Sequence, residues 1–196
     1  MLRSAVVFAL LYLLSSIHVF AIDNNKVPDY KQTKSGKYIT SKEAYELLQV
    51  GENKILFLDV RTRSEIAHIG MSKVADANVP FMLMAEPMIW NDEWGSFEMT
   101  RNQNFLNEVK QRLEEKGLNQ DDKIFLMCRS GGRSASAADL LTEAGFTKVY
   151  SMVDGFEGDM AKNGERILNG WKNSNLPWSY QLDKNKMYLP KRENSD

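Results

Sequence analysis

The chain has 196 residues, 25 basic against 26 acidic side chains, and one cysteine. That length suits one domain with a real core and is short for two. The balanced charge, with no long run of one sign, argues against nucleic acid as a partner.

Taken in chain order, Met1-Leu2-Arg3 is a short positive start, Ala5–Leu14 is unbroken apolar sequence, and Val19-Phe20-Ala21 supplies small residues suited to a cleavage site. This pattern predicts a secretory signal peptide over residues 1–21, a mature chain from Ile22, and a periplasmic or secreted location. The alternative left open is an uncleaved anchor, since Ser4 to Ile22 is about long enough to span a bilayer. Contact with a membrane is expected only through that segment. Exported proteins normally use cysteines in pairs, so a lone one points to a reactive thiol.

Residues 22–37 are polar, contain Pro28 and Gly36, and read as a tether. Tyr38-Ile39-Thr40 predicts a short strand. Thr40 with Glu43 three residues on forms a capping-box pattern, opening a helix with Ala44, Leu47 and Leu48 on its apolar face and Gly51 as its stop. Ile55–Val60 is almost continuously apolar, the sign of a strand covered on both faces. It runs into Asp59-Val60-Arg61, at the end of a strand where open α/β sheets place their sites. Two roles stay open for Asp59 and Arg61: support of an anion site, or an internal ion pair that holds the strand end.

Ala77-Asn78-Val79-Pro80 reads as a third short strand. Residues 82–103 then make a long connection rich in methionine and aromatic side chains, including Met82, Met84, Met88, Trp90, Trp94 and Phe97. Long connections in compact domains tend to be lids or binding loops. Spaced thioethers suit Cu(I), but an adaptable apolar lid or docking surface accounts for them as well, and no metal is assigned. Asn104–Lys116 carries Phe105, Leu106, Val109 and Leu113 at helical spacing before Gly117. Lys123–Met127 predicts a buried strand, Ala135–Ala144 a helix closed by Gly145, and Val149–Val153 the last strand. Glu157–Asp196 is mostly polar, and its bland reading is a segment that packs two aromatics back onto the domain. Strands alternating with helices predict a parallel sheet with helices on both faces.

Between the fourth of these strands and its helix stand Cys128-Arg129-Ser130-Gly131-Gly132-Arg133-Ser134. Backbone N–H groups at a helix start point inward, and the macrodipole places partial positive charge there. Two arginines add full charges, a setting that stabilises a thiolate and an anionic substrate.

With these residues in view, the chain resembles the single-domain rhodaneses, a sulfurtransferase family. The signature Cys-Arg-Ser-Gly-x-Arg-Ser is met at 128–134, and the family's Asp-Val-Arg at Asp59-Val60-Arg61, with Glu65 beyond it. Asp76-Ala77-Asn78-Val79-Pro80 echoes a further segment. Val149–Val153, Asp154-Gly155-Phe156 and Trp171 echo the closing strand, Gly-Gly turn and tryptophan. The resemblance covers about residues 38 to 178. It implies a rhodanese-like three-layer fold over 38–180, with a central parallel sheet of about five strands flanked by helices and a polar tail over 181–196. The departures are a shorter path from Asp59 to His68, Asp154 in place of the first glycine of the turn, and insertions at 82–103 and 157–170.

The resemblance implies a two-step transfer without cofactor. The Cys128 thiolate takes a sulfane sulfur from a small anionic donor such as thiosulfate, holds it as a persulfide, and yields it to a thiol, cyanide or a protein cysteine. Backbone N–H groups of 129–133, including those of Gly131 and Gly132, would cradle the persulfide. Arg129 would face the mouth, and Arg133 would orient the loop and lend charge. Ser130 and Ser134 would donate hydrogen bonds, with Ser134 equally suited to capping the helix. From Cys128 to Arg133 the loop has six residues; related cell-cycle phosphatases carry one more, and a phosphatase also wants a general acid. Two alternatives stand beside the transferase: a sulfur carrier that docks a protein partner on Met82–Phe97, and a phosphatase-like enzyme of the same fold. His68, the one histidine outside the signal segment, would have to lie near Cys128 for a Cys-His hydrolase.

Overall fold

Every side chain of Ile55–Asp59 is buried, and successive residues enter opposite cores. Leu56 and Leu58 join one cluster, Ile55 and Phe57 the other, as period two requires of a strand covered on both faces. The computed structural model describes residues 22–52 and 54–189. Its elements in chain order are β1 (Tyr38–Ile39), α1 (Ser41–Gln49), β2 (Ile55–Asp59), α2 (Arg63–Ile69), β3 (Met71–Ser72), β4 (Ala77–Asn78), β5 (Met82–Met84), β6 (Trp90–Asn91), β7 (Ser96–Phe97), β8 (Met99–Arg101), α3 (Phe105–Glu115), β9 (Lys123–Met127), α4 (Gly132–Glu143), β10 (Val149–Met152) and β11 (Trp178–Ser179).

Five strands pair in the order β1–β10–β9–β2–β4, all parallel. Phe105, Val109 and Leu113 of α3 and Ala137, Ala138 and Leu141 of α4 cover the face of Leu56 and Leu58. Ala44 and Leu47 of α1 and Ile66 of α2 cover the other, with Phe125, Met127 and Trp171. The expected three-layer α/β architecture is therefore the one found. The Thr40–Glu43 capping box opens α1 as the sequence predicts. Helix α4 starts at Gly132, three residues earlier than expected, because Gly131 adopts φ 110° and turns the chain into the helix there. Arg133 and Ser134 thus belong to its first turn.

Strands β2 and β9 lie side by side, with Asp59 opposite Met127 and Val60 N–H donating to the Met127 carbonyl at 2.8 Å. Cys128 and Arg61 therefore leave the same carboxyl edge of the sheet, where such folds build their sites.

Residues 22–37, expected as a tether, pack against the domain as a strap. Val27, Lys31 and Thr33 are buried, and Lys31 Nζ donates to the Val153 carbonyl at 2.9 Å and to the Asp159 carboxylate at 2.5 Å. A buried ammonium needs such partners, and those of Lys31 lie 122 and 128 residues away, beyond the reach of a local reading of polarity. The tail also docks as far as it is described: Tyr188 is buried, and Lys186 Nζ donates to the Ala75 carbonyl at 2.8 Å. The signal-peptide expectation falls on residues 1–21, outside the described residues. Among the described residues, no helix is long and apolar enough to cross a membrane.

The 82–103 connection is a β-hairpin, with β5 antiparallel to β8 and β6 antiparallel to β7 nearer its tip. Met82 packs on the core, Met84 is half-buried, and Met88 is exposed, so the methionines considered for copper occupy three different surroundings.

Trp171 anchors the C-terminal segment. It is fully buried, donates from Nε1 to the Pro177 carbonyl at 3.0 Å, and lies 5.3 Å from Phe57 and 5.8 Å from Tyr45 between ring centroids. Removing that volume from a core that cannot collapse costs about 3–5 kcal/mol. Trp171→Ala is expected to lower the urea midpoint accordingly, with the slope of the transition unchanged.

Candidate functional site

Cys128 follows the last residue of β9, and its side chain is buried. Its Sγ accepts a hydrogen bond from Gly131 N–H at 3.1 Å and lies 3.6 Å from Ser134 Oγ. The loop therefore folds back over the sulfur, with the N-terminus of the twelve-residue helix α4 directly behind it. Glycine is required at 131, where φ is positive and an added Cβ would stand 2.5 Å from the Val153 carbonyl oxygen. Gly132 has no such constraint, since a Cβ there would meet Tyr30 at an ordinary 3.4 Å. Ser134 is not an N-cap. Its hydroxyl donates to the Gly131 carbonyl at 2.8 Å and accepts from Ser151 Oγ at 3.0 Å, tying the loop to β10.

The Arg133 guanidinium grips the Glu65 carboxylate with two bonds, Nη1 to Oε2 at 2.6 Å and Nη2 to Oε1 at 2.5 Å. Glu65 is in turn fixed by a capping box at the start of α2, accepting from the Thr62 N–H and hydroxyl at 3.0 Å each. Burial on its own would raise the Glu65 carboxyl, but the hydrogen bonds and charge of Arg133, with the bonds from Thr62, hold it at about 2. Arg133 is moved the opposite way: burial would lower it, while Glu65 above all, then Cys128 and Asp59, raise it above the usual guanidinium range. Its charge is thus compensated, and its guanidinium positions the loop.

Arg129 differs. Its side chain is exposed and makes no ion pair among the described residues, while its carbonyl accepts from the Glu157 and Gly158 N–H groups at 3.0 and 3.2 Å. Ser130 is half-buried next to it. The turn after β10 backs both residues: Phe156 N–H donates to the Cys128 carbonyl at 2.8 Å, and a Cβ on Gly155 would stand 2.6 Å from Ser130 N. That close approach falls on the second glycine of the family's pair, so Asp154 is accommodated in place of the first. Asp154 ties this turn to the start of α1, its Oδ1 accepting from the Ser41 N–H and hydroxyl at 2.9 Å each, while burial pushes its carboxyl above the ordinary value.

Of the two roles open for Asp59 and Arg61, the geometry is that of the internal pair. Arg61 Nε and Nη2 donate to the Asp59 carboxylate at 3.0 and 2.7 Å, Nη2 also reaches the Gly70 carbonyl at 2.8 Å, and neither side chain is exposed. The guanidinium also lies 3.9 Å over the Phe156 ring. His68 stands exposed in the last turn of α2, unlike the buried Cys128, and bonds nothing at the loop.

A cavity of about 310 Å³ opens beside the loop. Arg129, Arg133, Glu65, Thr62 and Ser64 form one side, and Met84, Ser96, Phe97 and Met99 of the hairpin form the other. The roles of Glu65 and the hairpin wall were not assigned from sequence. The Thr62-to-Glu65 capping pattern carries a signal for the first, and for the second the Met/aromatic content of 82–103 points to an apolar lid or docking surface without saying that it faces Arg129.

This arrangement defines an α/β protein with a buried thiol at the carboxyl edge of its parallel sheet, in front of a helix N-terminus. Residues 40–162 match the family described as Rhodanese-like domain, and the chain belongs to that family, a sulfurtransferase family. It is 32% identical over 144 residues to an uncharacterized protein of Rickettsia prowazekii, spanning 72% of this chain and 96% of that one. It is 36% identical over 121 residues to the chloroplastic thiosulfate sulfurtransferase 16 of Arabidopsis thaliana, spanning 62% and 83%. It also superposes on the crystal structure of a protein from M. tuberculosis with TM-score 0.56 and 31% identity, covering 73% and 96%.

The Glu65–Arg133 pair makes stability depend on pH. Because the folded carboxyl titrates at about 2 against an ordinary 4.5, the unfolded chain takes up this proton first as pH falls. The stabilisation, about 3 kcal/mol, is present above pH 4.5 and is lost on descending through about 2. Asp154, raised rather than lowered, contributes with the opposite sign. Urea unfolding from pH 7 to 2 is expected to show Glu65→Gln less stable at pH 7 and flatter over the acid limb than the parent.

Proposed function

We propose that the protein is a sulfurtransferase in which Cys128 takes a sulfane sulfur from a small anionic donor such as thiosulfate and passes it to a thiophilic acceptor. The observation that carries this reading is the six-residue loop that aims the Gly131 N–H at Cys128 Sγ in front of the α4 N-terminus, with the uncompensated Arg129 guanidinium beside it. In the first step the thiolate attacks the outer sulfur of thiosulfate. An Sγ–S bond forms, the donor's S–S bond breaks, and sulfite leaves with the electron pair. The outer sulfur of the resulting persulfide carries the negative charge, which inward N–H groups and the helix end stabilise as an oxyanion hole stabilises oxygen. In the second step cyanide, a thiol or a protein cysteine attacks that sulfur and the Cys128 thiolate is restored. Both displacements balance without a redox cofactor. Arg129 draws the donor's sulfonate, Arg133 braces the loop through Glu65, and Asp59–Arg61 holds the strand end.

A second reading rests on the outer part of the hairpin, where Met88, Ile89, Trp90 and Trp94 are exposed. In it the acceptor is a protein with an accessible cysteine that docks on the Met82–Phe97 region, and the chain acts as a sulfur carrier. The reading also includes export through residues 1–21 to the periplasm or outside the cell, where a lone cysteine has no internal partner with which to form a bridge.

Purified protein should form thiocyanate from thiosulfate and cyanide, and Cys128→Ser should abolish it. Arg129→Ala should weaken use of thiosulfate about tenfold, the size of a lost charge-assisted contact. Equal activity in parent and Cys128→Ser would contradict the transferase reading. Replacing Met88–Trp94 by a short turn separates the second reading: a carrier keeps its thiocyanate activity and loses transfer to its protein acceptor.

A further inference from the structure

We propose that the outer half of the hairpin is a docking surface for a protein partner that presents an apolar recess rimmed by lysine and arginine. The inference deepens the second reading above, which uses the same hairpin, and adds the chemistry of the partner. It does not require that the partner take sulfur from Cys128.

The first observation is apolar. Met88, Ile89, Trp90, Trp94 and Phe97 are between 40% and 62% exposed and fall within one short stretch of chain. An exposed cluster of this kind marks an interaction surface, and tryptophan and methionine are among the residue types enriched in protein contacts. The turn holds these side chains in place before a partner arrives. Trp90 packs edge-to-face on Phe97, 5.5 Å between ring centroids, and donates from Nε1 to Asp92 Oδ1 at 3.0 Å. Asn91 Oδ1 accepts the Trp94 N–H at 2.9 Å, and the Glu98 N–H donates to the Ile89 carbonyl at 2.8 Å. Anchors that are already ordered lose little entropy on binding.

The second observation is charge. Between Ala85 and Glu98 stand Glu86, Asp92, Glu93 and Glu98, with no lysine, arginine or histidine among them. None of these carboxylates forms a salt bridge among the described residues, and Glu86, Asp92 and Glu93 are exposed. The whole chain carries a net charge of only -1, so the acidic excess belongs to the hairpin.

Together the two observations select the partner. Nucleic acid and anionic lipid are repelled by carboxylates set among the apolar anchors. A neutral bilayer suits the tryptophans but not the carboxylates beside them, which resist desolvation. A protein surface with basic residues around an apolar recess satisfies both parts at once. Phe97 also lines the cavity beside Arg129, so a partner docked here stands at the rim of that cavity.

The test measures, by fluorescence anisotropy, how the full protein binds two labelled amphipathic peptides. They share one leucine face and carry lysine in one case and glutamate in the other at the remaining positions. The lysine peptide is expected to bind at least about tenfold tighter at low salt, with an advantage that shrinks as salt rises. Trp94→Ala should weaken it about tenfold or more, as loss of an interface anchor does, and Trp94→Phe should recover most of that loss. Glu86→Lys/Glu93→Lys should reverse the order of the two peptides. These side chains are exposed and outside the core, so urea midpoints and thiocyanate formation should match the parent. Equal affinity for the two peptides, or binding of neither, would overturn the inference. So would an order unchanged in Glu86→Lys/Glu93→Lys, or full affinity in Trp94→Ala. Sedimentation of the parent with phosphatidylcholine vesicles, or self-association that Trp94→Ala abolishes, would also overturn it by giving the surface to a bilayer or to a second copy. The transferase reading fails separately: charge-dependent binding without thiocyanate formation removes that reading and keeps the docking surface.

Discussion

Two hydrogen bonds between Arg133 and Glu65 join the first turn of α4 to the first turn of α2 across the carboxyl edge of the sheet. The shape of the Cys128 loop depends on them. One end of the loop is fixed by the pairing of β9 with β2 and β10, and the other by this bidentate clamp. Between these ends six residues must turn, and Gly131 supplies the positive φ that brings its N–H onto the sulfur. A planar guanidinium held by a carboxylate that is itself locked in a capping box has little freedom to drift. The clamp also explains why one arginine of the loop is structural and the other is free to meet an anion.

Behind the loop the constraint is steric. Gly155 lies against the Arg129–Ser130 peptide and Gly131 against Val153, at distances that admit no side chain. Lys31 presses its stem toward Gly131 while its ammonium ties the strap to Val153 and to Asp159 in the 157–170 insertion. The loop is thus held from one side by Glu65 and from behind by the β10 turn and strap. Donors held in place before a reaction need no reorganisation when charge develops, and this packing supplies that condition. The hairpin forms the opposite wall of the cavity at the mouth.

The sequence made legible what is encoded within a few residues. The apolar runs of β2 and β9, the Thr40–Glu43 cap and the Cys128–Ser134 loop each carry their signal locally, and the alternation of strands and helices led directly to the parallel sheet. The start of α4 was misplaced because Gly132, Arg133 and Ser134 look like loop residues until the φ of Gly131 is known. Lys31 was hidden in a polar stretch because its burial depends on Val153 and Asp159, more than a hundred residues away. The methionines of 82–103 announced an apolar surface, but the side of it that faces Arg129 is set by the register of β5 on β8. For Asp59 and Arg61 the residue types allowed two roles, and only complete burial distinguishes them.

The central claim is that this loop holds sulfur on Cys128, and intact-protein mass spectrometry after brief exposure to a sulfane donor tests it most directly. The account predicts one added sulfur atom, mapped to the peptide carrying Cys128 and discharged by cyanide. An unmodified mass with every sulfane donor, thiosulfate and an organic thiosulfonate included, would contradict it.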